Sequence, residues 1–266
     1  MAIDNKIGIE TFQQAELLEK RLKMLIWGKM GTGKTPLALM FPRPVILDLD
    51  MGSSHYAAQC PGLAAVRGAG VDSYQKVVDL IKWLKSNKHD FKTLIIDPVT
   101  LVHDLHIEKW NQYFLKQWRL KDTKNAFDET VQWNTQHWMK EKNDWSNFNM
   151  LLLTLDMNVI SNARESDKTK AIKDASGKVE FINDGVKMDT DKDDDYVYDV
   201  VVRLENDSAG ISWCTVYRDR TQRIKKLHEA PKKFKLDFKQ MEEWLGKDYL
   251  EREVRVQELS EGEKRL

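Results

Sequence analysis

The chain has 266 residues, in which 42 Lys and Arg balance 42 Asp and Glu, with 41% apolar and 32% charged residues, six His and two Cys. That length carries a full core, while the balanced charge excludes a whole-surface attraction to nucleic acid and leaves only local patches for it. No apolar stretch reaches the roughly 18 residues of a membrane span. Met1–Glu10 lacks the basic and apolar runs of a secretory signal, and the widely spaced Cys60 and Cys214 match no metal spacing and point to reduced thiols in a cytoplasmic compartment.

In chain order, short apolar runs come first: Met24–Trp27, Pro44–Leu47 ending in Asp48-Leu49-Asp50, Thr93–Ile96 ending in Asp97, and Met150–Leu155. Near-continuous apolar runs of this length are the pattern of strands covered on both faces, as in a parallel sheet. Between them, Asp72 or Ser73 caps a helix with Tyr74, Val77, Ile81 and Leu84 on one face. Residues 101–148 hold five of the nine tryptophans and predict two helices split near Lys121–Asn125. Trp110, Phe114 and Trp118 form a stripe there, either a core contact or a platform for stacking bases. Residues 157–195 are charged and predict a long loop, with Lys168, Lys170, Lys173 and Lys178 ahead of an acidic run. Tyr196–Glu205 and Ile211–Tyr217 predict an antiparallel pair or an edge hairpin, turning at Asn206–Gly210. The basic stretch Arg220–Lys239 is either a solvated tail or a non-specific holder of nucleic-acid backbone. A charged helix over Phe238–Leu259 follows, with Met241, Leu245 and Tyr249 on one side. The alternation predicts an α/β fold, a mostly parallel sheet flanked by helices, with a C-terminal β-hairpin and charged helix. Its parts are a segment 1–20, a core 21–225, and a terminal region 226–266.

The chemistry concentrates in Gly28-Lys29-Met30-Gly31-Thr32-Gly33-Lys34-Thr35, which satisfies G-x-x-x-x-G-K-[ST] between a buried strand and a helix start. The glycines let backbone N–H groups face phosphate oxygens at a helix N-terminus, where the helix dipole favours negative charge. Lys34 then reaches the β- and γ-phosphates of ATP and the Thr35 hydroxyl ligates Mg²⁺. Asp97, at the C-terminal end of an apolar strand, is the candidate second metal residue, or else a loop cap before Pro98. Asp50 is the candidate for orienting the attacking water, or else part of a turn through Met51-Gly52. Thr154 is read as a γ-phosphate-sensing residue at a strand end or as a strand threonine bonded to backbone. His103 and His106 are metal ligands or helix-face histidines, with no third ligand indicated by spacing.

The segments Leu25–Thr35, Phe41–Asp50 and Phe91–Asp97, together with Asp199–Leu204 and Val216–Arg220, resemble phage-encoded RecA-like ATPases of the single-strand-annealing and recombination type, over roughly residues 20–225. The resemblance implies a RecA-like P-loop core in a bacterial or other microbial host. It implies ATP bound between subunits of a ring or filament, assembly on single-stranded DNA, and work alongside phage or host recombination and replication proteins. It makes residues 157–195 the DNA-contacting loop and lets Arg218 or Arg220 complete a neighbouring subunit's site. The chain departs from that family in carrying Asp50 where a Glu is usual. Asp156 or Asn158 stands where a His or Gln usually links nucleotide to DNA. These residues leave two competing functions: a nucleotide-gated assembly protein that recruits a partner with little DNA binding, and a P-loop kinase, for which no lid with paired arginines is present.

Overall fold

The computed structural model describes residues 20–121, 133–173, 179–191, 194–224, 233–235 and 237–266. Its elements are β1 (Lys23–Trp27), α1 (Lys34–Leu39), β2 (Pro44–Asp48), β3 (Ala64–Arg67), α2 (Tyr74–Ser86), β4 (Thr93–Asp97), α3 (Val99–Lys121), α4 (Thr135–Thr154), β5 (Asn158–Lys173), β6 (Val179–Asp189), β7 (Val200–Asn206), β8 (Ser212–Asp219), β9 (Lys233–Lys235), α5 (Phe238–Leu245), α6 (Lys247–Leu250) and α7 (Glu261–Arg265). Among the described residues the strands run in the order β3-β2-β4-β5-β1-β7-β8-β9, with β6 paired to the outer part of β5. The strands from β3 to β7 in that order are parallel. β8 and β9 continue the sheet antiparallel.

Period-two alternation divides the core. Leu25 and Trp27 of β1, with Leu47, Ile96 and Val159, pack under α2, α3 and α4. Met24 and Ile26, with Ile46, Ile95 and Ile160, pack under α1, α5 and α6. Ser73 caps α2, accepting from the Lys76 amide, and Asn134 and His137 form a capping box at the start of α4. Phe234, Met241, Leu245 and Leu250 share the apolar cluster of β1, so the described part of 226–266 is joined to the core.

Three expectations need correction. Met150–Leu155 is not a strand. It is the end of α4 and its C-cap, apolar because Leu151, Leu152 and Leu155 are buried against the sheet. The described residues of 157–195 are not one long loop. Asn158–Ala163 form the strand between β4 and β1, and the chain continues outward as a ribbon with β6. Of the two readings of Tyr196–Glu205 and Ile211–Tyr217, the antiparallel pair holds: β7 pairs with β8 and, on its other side, with β1, Met24 lying opposite Val200. The helix expected over Phe238–Leu259 breaks at Gly246, whose φ of 91° is left-handed and suits glycine. The predicted split between α3 and α4 falls on residues outside the described ones.

Candidate functional site

Where β1 ends, the chain turns through Gly28–Gly33 into α1. Gly28 and Gly33 have φ of 150° and 93°. A Cβ on Gly28 would stand 2.2 Å from the Leu204 carbonyl oxygen, so only glycine passes this close to β7. The loop is held from within: the Thr32 hydroxyl donates to the Lys29 carbonyl at 2.8 Å, and Asn206 on β7 donates to the Gly31 carbonyl at 3.1 Å. Lys34 Nζ donates to the carbonyls of Gly28 and Lys29, both at 2.8 Å. Its ammonium curls back under the loop, where its bonds are to neutral carbonyls that a phosphate oxygen can replace. Burial pulls the Lys34 pKa below the ordinary lysine value, while Asp97, Asp50 and Glu165 hold it up.

These residues border a cavity of about 840 Å³, lined by Gly28–Gly31, Gly33–Pro36, Asp50, His55, Asp97, Arg164 and Glu165 among others. Thr35 Oγ1 donates to Asp97 Oδ2 at 2.5 Å. Asp97 is buried, and that burial raises its carboxyl pKa above the ordinary aspartate range even though the Thr35 bond works the other way. A hydroxyl and a carboxylate side by side, the latter short of positive charge, suit a hard oxygen-seeking cation such as Mg²⁺. The residues present therefore fit a magnesium nucleotide, with Thr35 and Asp97 as the protein's donors to the ion.

Asp48 and Asp50 part ways. Asp48 is fully buried, bonded to Ser53 at 2.6 Å and paired with Arg67 at 2.9 Å. Asp50 lines the cavity and accepts from the Gly52 amide at 3.1 Å, so it both forms the turn and faces the site.

Thr154 is not at this site. It ends α4 at the opposite edge of the sheet, bonded to Lys85 at 2.9 Å and Glu263 at 2.7 Å. The polar position on the strand between β1 and β4 is Asn162, opposite Ile26, two residues before Arg164 reaches the cavity wall; it was not among the expected site residues. Its side chain lies beside Asp97, fully buried, with both amide atoms outside hydrogen-bond geometry. Arg164 and Glu165 were also missed. They follow Asn162 into the cavity wall, and Glu165 pairs with Arg203 at 2.9 Å. Their signal was Asn158–Ala163, a short run whose buried Asn and Ser hide the strand.

Arg218 and Arg220 lie far from the chain's own P-loop. Arg218 pairs in register with Val201 near the start of β7, its guanidinium over the Tyr196 ring at 5.1 Å, and Arg220 donates to the Tyr196 carbonyl at 2.8 Å. On the ribbon, Lys168 pairs with Asp184 at 3.1 Å and Lys170 is exposed; Lys173 lies on β5, and Lys178 lies outside the described residues. Trp110 is half-buried and Phe114 buried, the two rings 5.2 Å apart, so this part of the aromatic stripe is core; the Trp118 side chain is outside the description.

No helix among the described residues is long and apolar enough to cross a membrane. No curated protein matches the chain. A family model described as an AAA domain matches residues 20–249, a span from just before β1 to α6 that holds the P-loop, Asp97 and the parallel sheet. The chain therefore belongs to the AAA domain family of P-loop nucleotide-binding ATPase domains.

Proposed function

We propose that the chain is a Mg²⁺-dependent ATPase of RecA-like type that assembles on single-stranded DNA as a ring or filament in phage or phage-derived recombination. The observation that carries the ATPase reading is the Thr35–Asp97 contact at the mouth of the P-loop, with Asn162 on the strand between. In this reading Lys34 exchanges its carbonyl partners for phosphate oxygens, and the loop amides hold the rest of the triphosphate. Bound Mg²⁺ would neutralise charge on the phosphates. Asp50 accepts a hydrogen bond from the attacking water and aligns it, Asn162 donates its free amide toward the terminal phosphate, and Arg164 adds positive charge from the cavity wall. Arg218 and Arg220, at the far edge of the sheet, act on a neighbouring subunit's site.

The DNA part of the reading is supported by the ribbon of β5 and β6, which starts at the cavity wall and carries Lys168, Lys170 and Lys173 outward. A second reading is favoured by the Lys168–Asp184 pair and by the acidic residues from Glu180 to Asp195. There the ribbon recruits a protein partner under nucleotide control and binds little DNA.

ATP hydrolysis with Mg²⁺, measured with and without single-stranded DNA beside Lys34→Ala and Asp50→Ala, separates the readings. DNA-stimulated turnover that disappears in Lys34→Ala is expected. ATP binding with turnover indifferent to DNA favours partner recruitment, and no ATP binding overturns both.

A further inference from the structure

On the sheet face opposite α1, helices α3 and α4 enclose a polar cluster that takes no part in the nucleotide site. His103 and His106 stand one turn apart on α3, the spacing that puts two side chains on one helix face. Glu141 of α4 meets them, with one potential ligand atom from each residue within 4.8 Å of the others. His106 Nδ1 lies 3.3 Å from Glu141 Oε1, and His103 Nε2 lies 3.9 Å from the same oxygen. His106 and Glu141 are 0% and 1% exposed. None of these three atoms makes a hydrogen bond. Tyr74 and Trp145 wall the imidazoles, with ring centroids 4.7 and 5.2 Å from His106.

The surroundings are already balanced without Glu141. Asp144 pairs with Lys109 at 2.8 Å, and Trp110 Nε1 donates to it at 3.1 Å. Asp144 Oδ2 also stands 3.1 Å from His106 Nε2, which fixes the ring so that Nδ1 turns toward Glu141. A carboxylate behind a metal-binding imidazole does this in metal sites generally. The remaining carboxylate of Glu141, sealed from water, needs a positive partner. A proton on His106 serves one contact and leaves His103 Nε2 without any. A cation satisfies all three atoms at once. Tetrahedral zinc with bonds near 2.0–2.2 Å sets its ligand atoms about 3.4 Å apart, close to the shorter of the observed separations.

We infer that His103, His106 and Glu141 form a three-ligand site for a divalent first-row transition metal, Zn²⁺ foremost, that pins α3 to α4. Two imidazoles with one carboxylate suit zinc over magnesium or calcium, which take oxygen donors. The site is independent of the ATPase reading, because none of its residues lines the P-loop cavity.

The test uses the full chain, stripped of metal and kept free of nucleotide and Mg²⁺. Titration with Zn²⁺ is expected to saturate at one ion per chain by elemental analysis, and Co²⁺ in its place to give the visible absorption of a tetrahedral ion. His103→Asn, at the more exposed corner, is expected to weaken Zn²⁺ roughly 100-fold while the metal-free protein keeps its circular dichroism. Asp144→Asn, which removes the carboxylate behind His106, is expected to weaken it about 10-fold or more. Cys60→Ser should leave affinity unchanged. Absence of saturable Zn²⁺ binding by the unaltered chain, or unchanged affinity in folded His103→Asn, overturns the site. The stoichiometry and cobalt spectrum of the unaltered chain decide the matter even if a variant fails to fold.

Discussion

At the edge of the sheet where the parallel strands begin, several cations are held by partners within the chain. Arg21 pairs with Asp156 at 2.8 Å, Lys23 donates to the carbonyls of Leu155 and Met157, and Lys85 is bound to both Glu263 and Thr154. At the edge where those strands end, Lys34, Arg164, Asp50 and Asp97 face a cavity, and Asn162 has no hydrogen-bond partner. Both edges draw on the same residue types. The difference is that one set is closed over by the chain, while the other borders an open cavity.

The largest effect that would sharpen this contrast is at the open edge. Lys34→Ala is expected to cut ATP hydrolysis about 1,000-fold, near 4 kcal/mol in barrier terms, while denaturant unfolding stays close to that of the unaltered chain. A large loss of stability instead would make Lys34 a structural lysine and erase the distinction. The reverse pattern is expected for Lys85→Met, which strands the buried Glu263 carboxylate: stability falls by about 3–4 kcal/mol, and the nucleotide KM does not move.

Lys23 gives the closed edge a pH signature. Burial lowers its pKa from 10.5 to about 7, against the pull of Asp199 and Asp156. Below pH 7 the ammonium is present in both folded and unfolded chains and its full burial cost applies. Between 7 and 10.5 the unfolded chain binds more protons, so stability from this residue rises with pH. The gain between pH 7 and 9.5, read as the unaltered chain minus Lys23→Met in urea unfolding, is expected to be about 3 kcal/mol. A flat difference would place the ammonium in water. The smallest effect is expected at Asp50, where Asn removes the charge but keeps the bond to the Gly52 amide: turnover drops about 10- to 30-fold, with stability and KM little changed.

Much of the open edge was readable because its chemistry is local. Gly28–Thr35 lies in one stretch, and Asp97 follows directly on an apolar strand. What escaped was set by packing at a distance. Met150–Leu155 and Asn158–Ala163 competed for one strand position, and the more apolar of them lost, because α4 needs leucines to sit on the sheet. Asn158 is tolerated in the central strand since its amide donates to the Leu250 carbonyl at 2.7 Å, a partner far away in sequence. With Thr154 on a helix, the polar residue beside Asp97 on the strand between β4 and β1 is Asn162, and Arg164 and Glu165 follow it to the cavity wall. Glu141 likewise could not be joined to His103 and His106 by spacing, since it arrives on a different helix.

The strand that was hidden has a mechanical consequence. β5 is a single strand of 16 residues, clamped between β4 and β1 over its first part and, beyond Ala163, paired as a strand with β6 alone, its base tied to Thr100 and Arg203. The ten residues from Arg164 to Lys173 extend about 33 Å at the ordinary rise of a strand. Over an arm of that length a tilt of about 10° at its base would correspond to about 6 Å at Lys173.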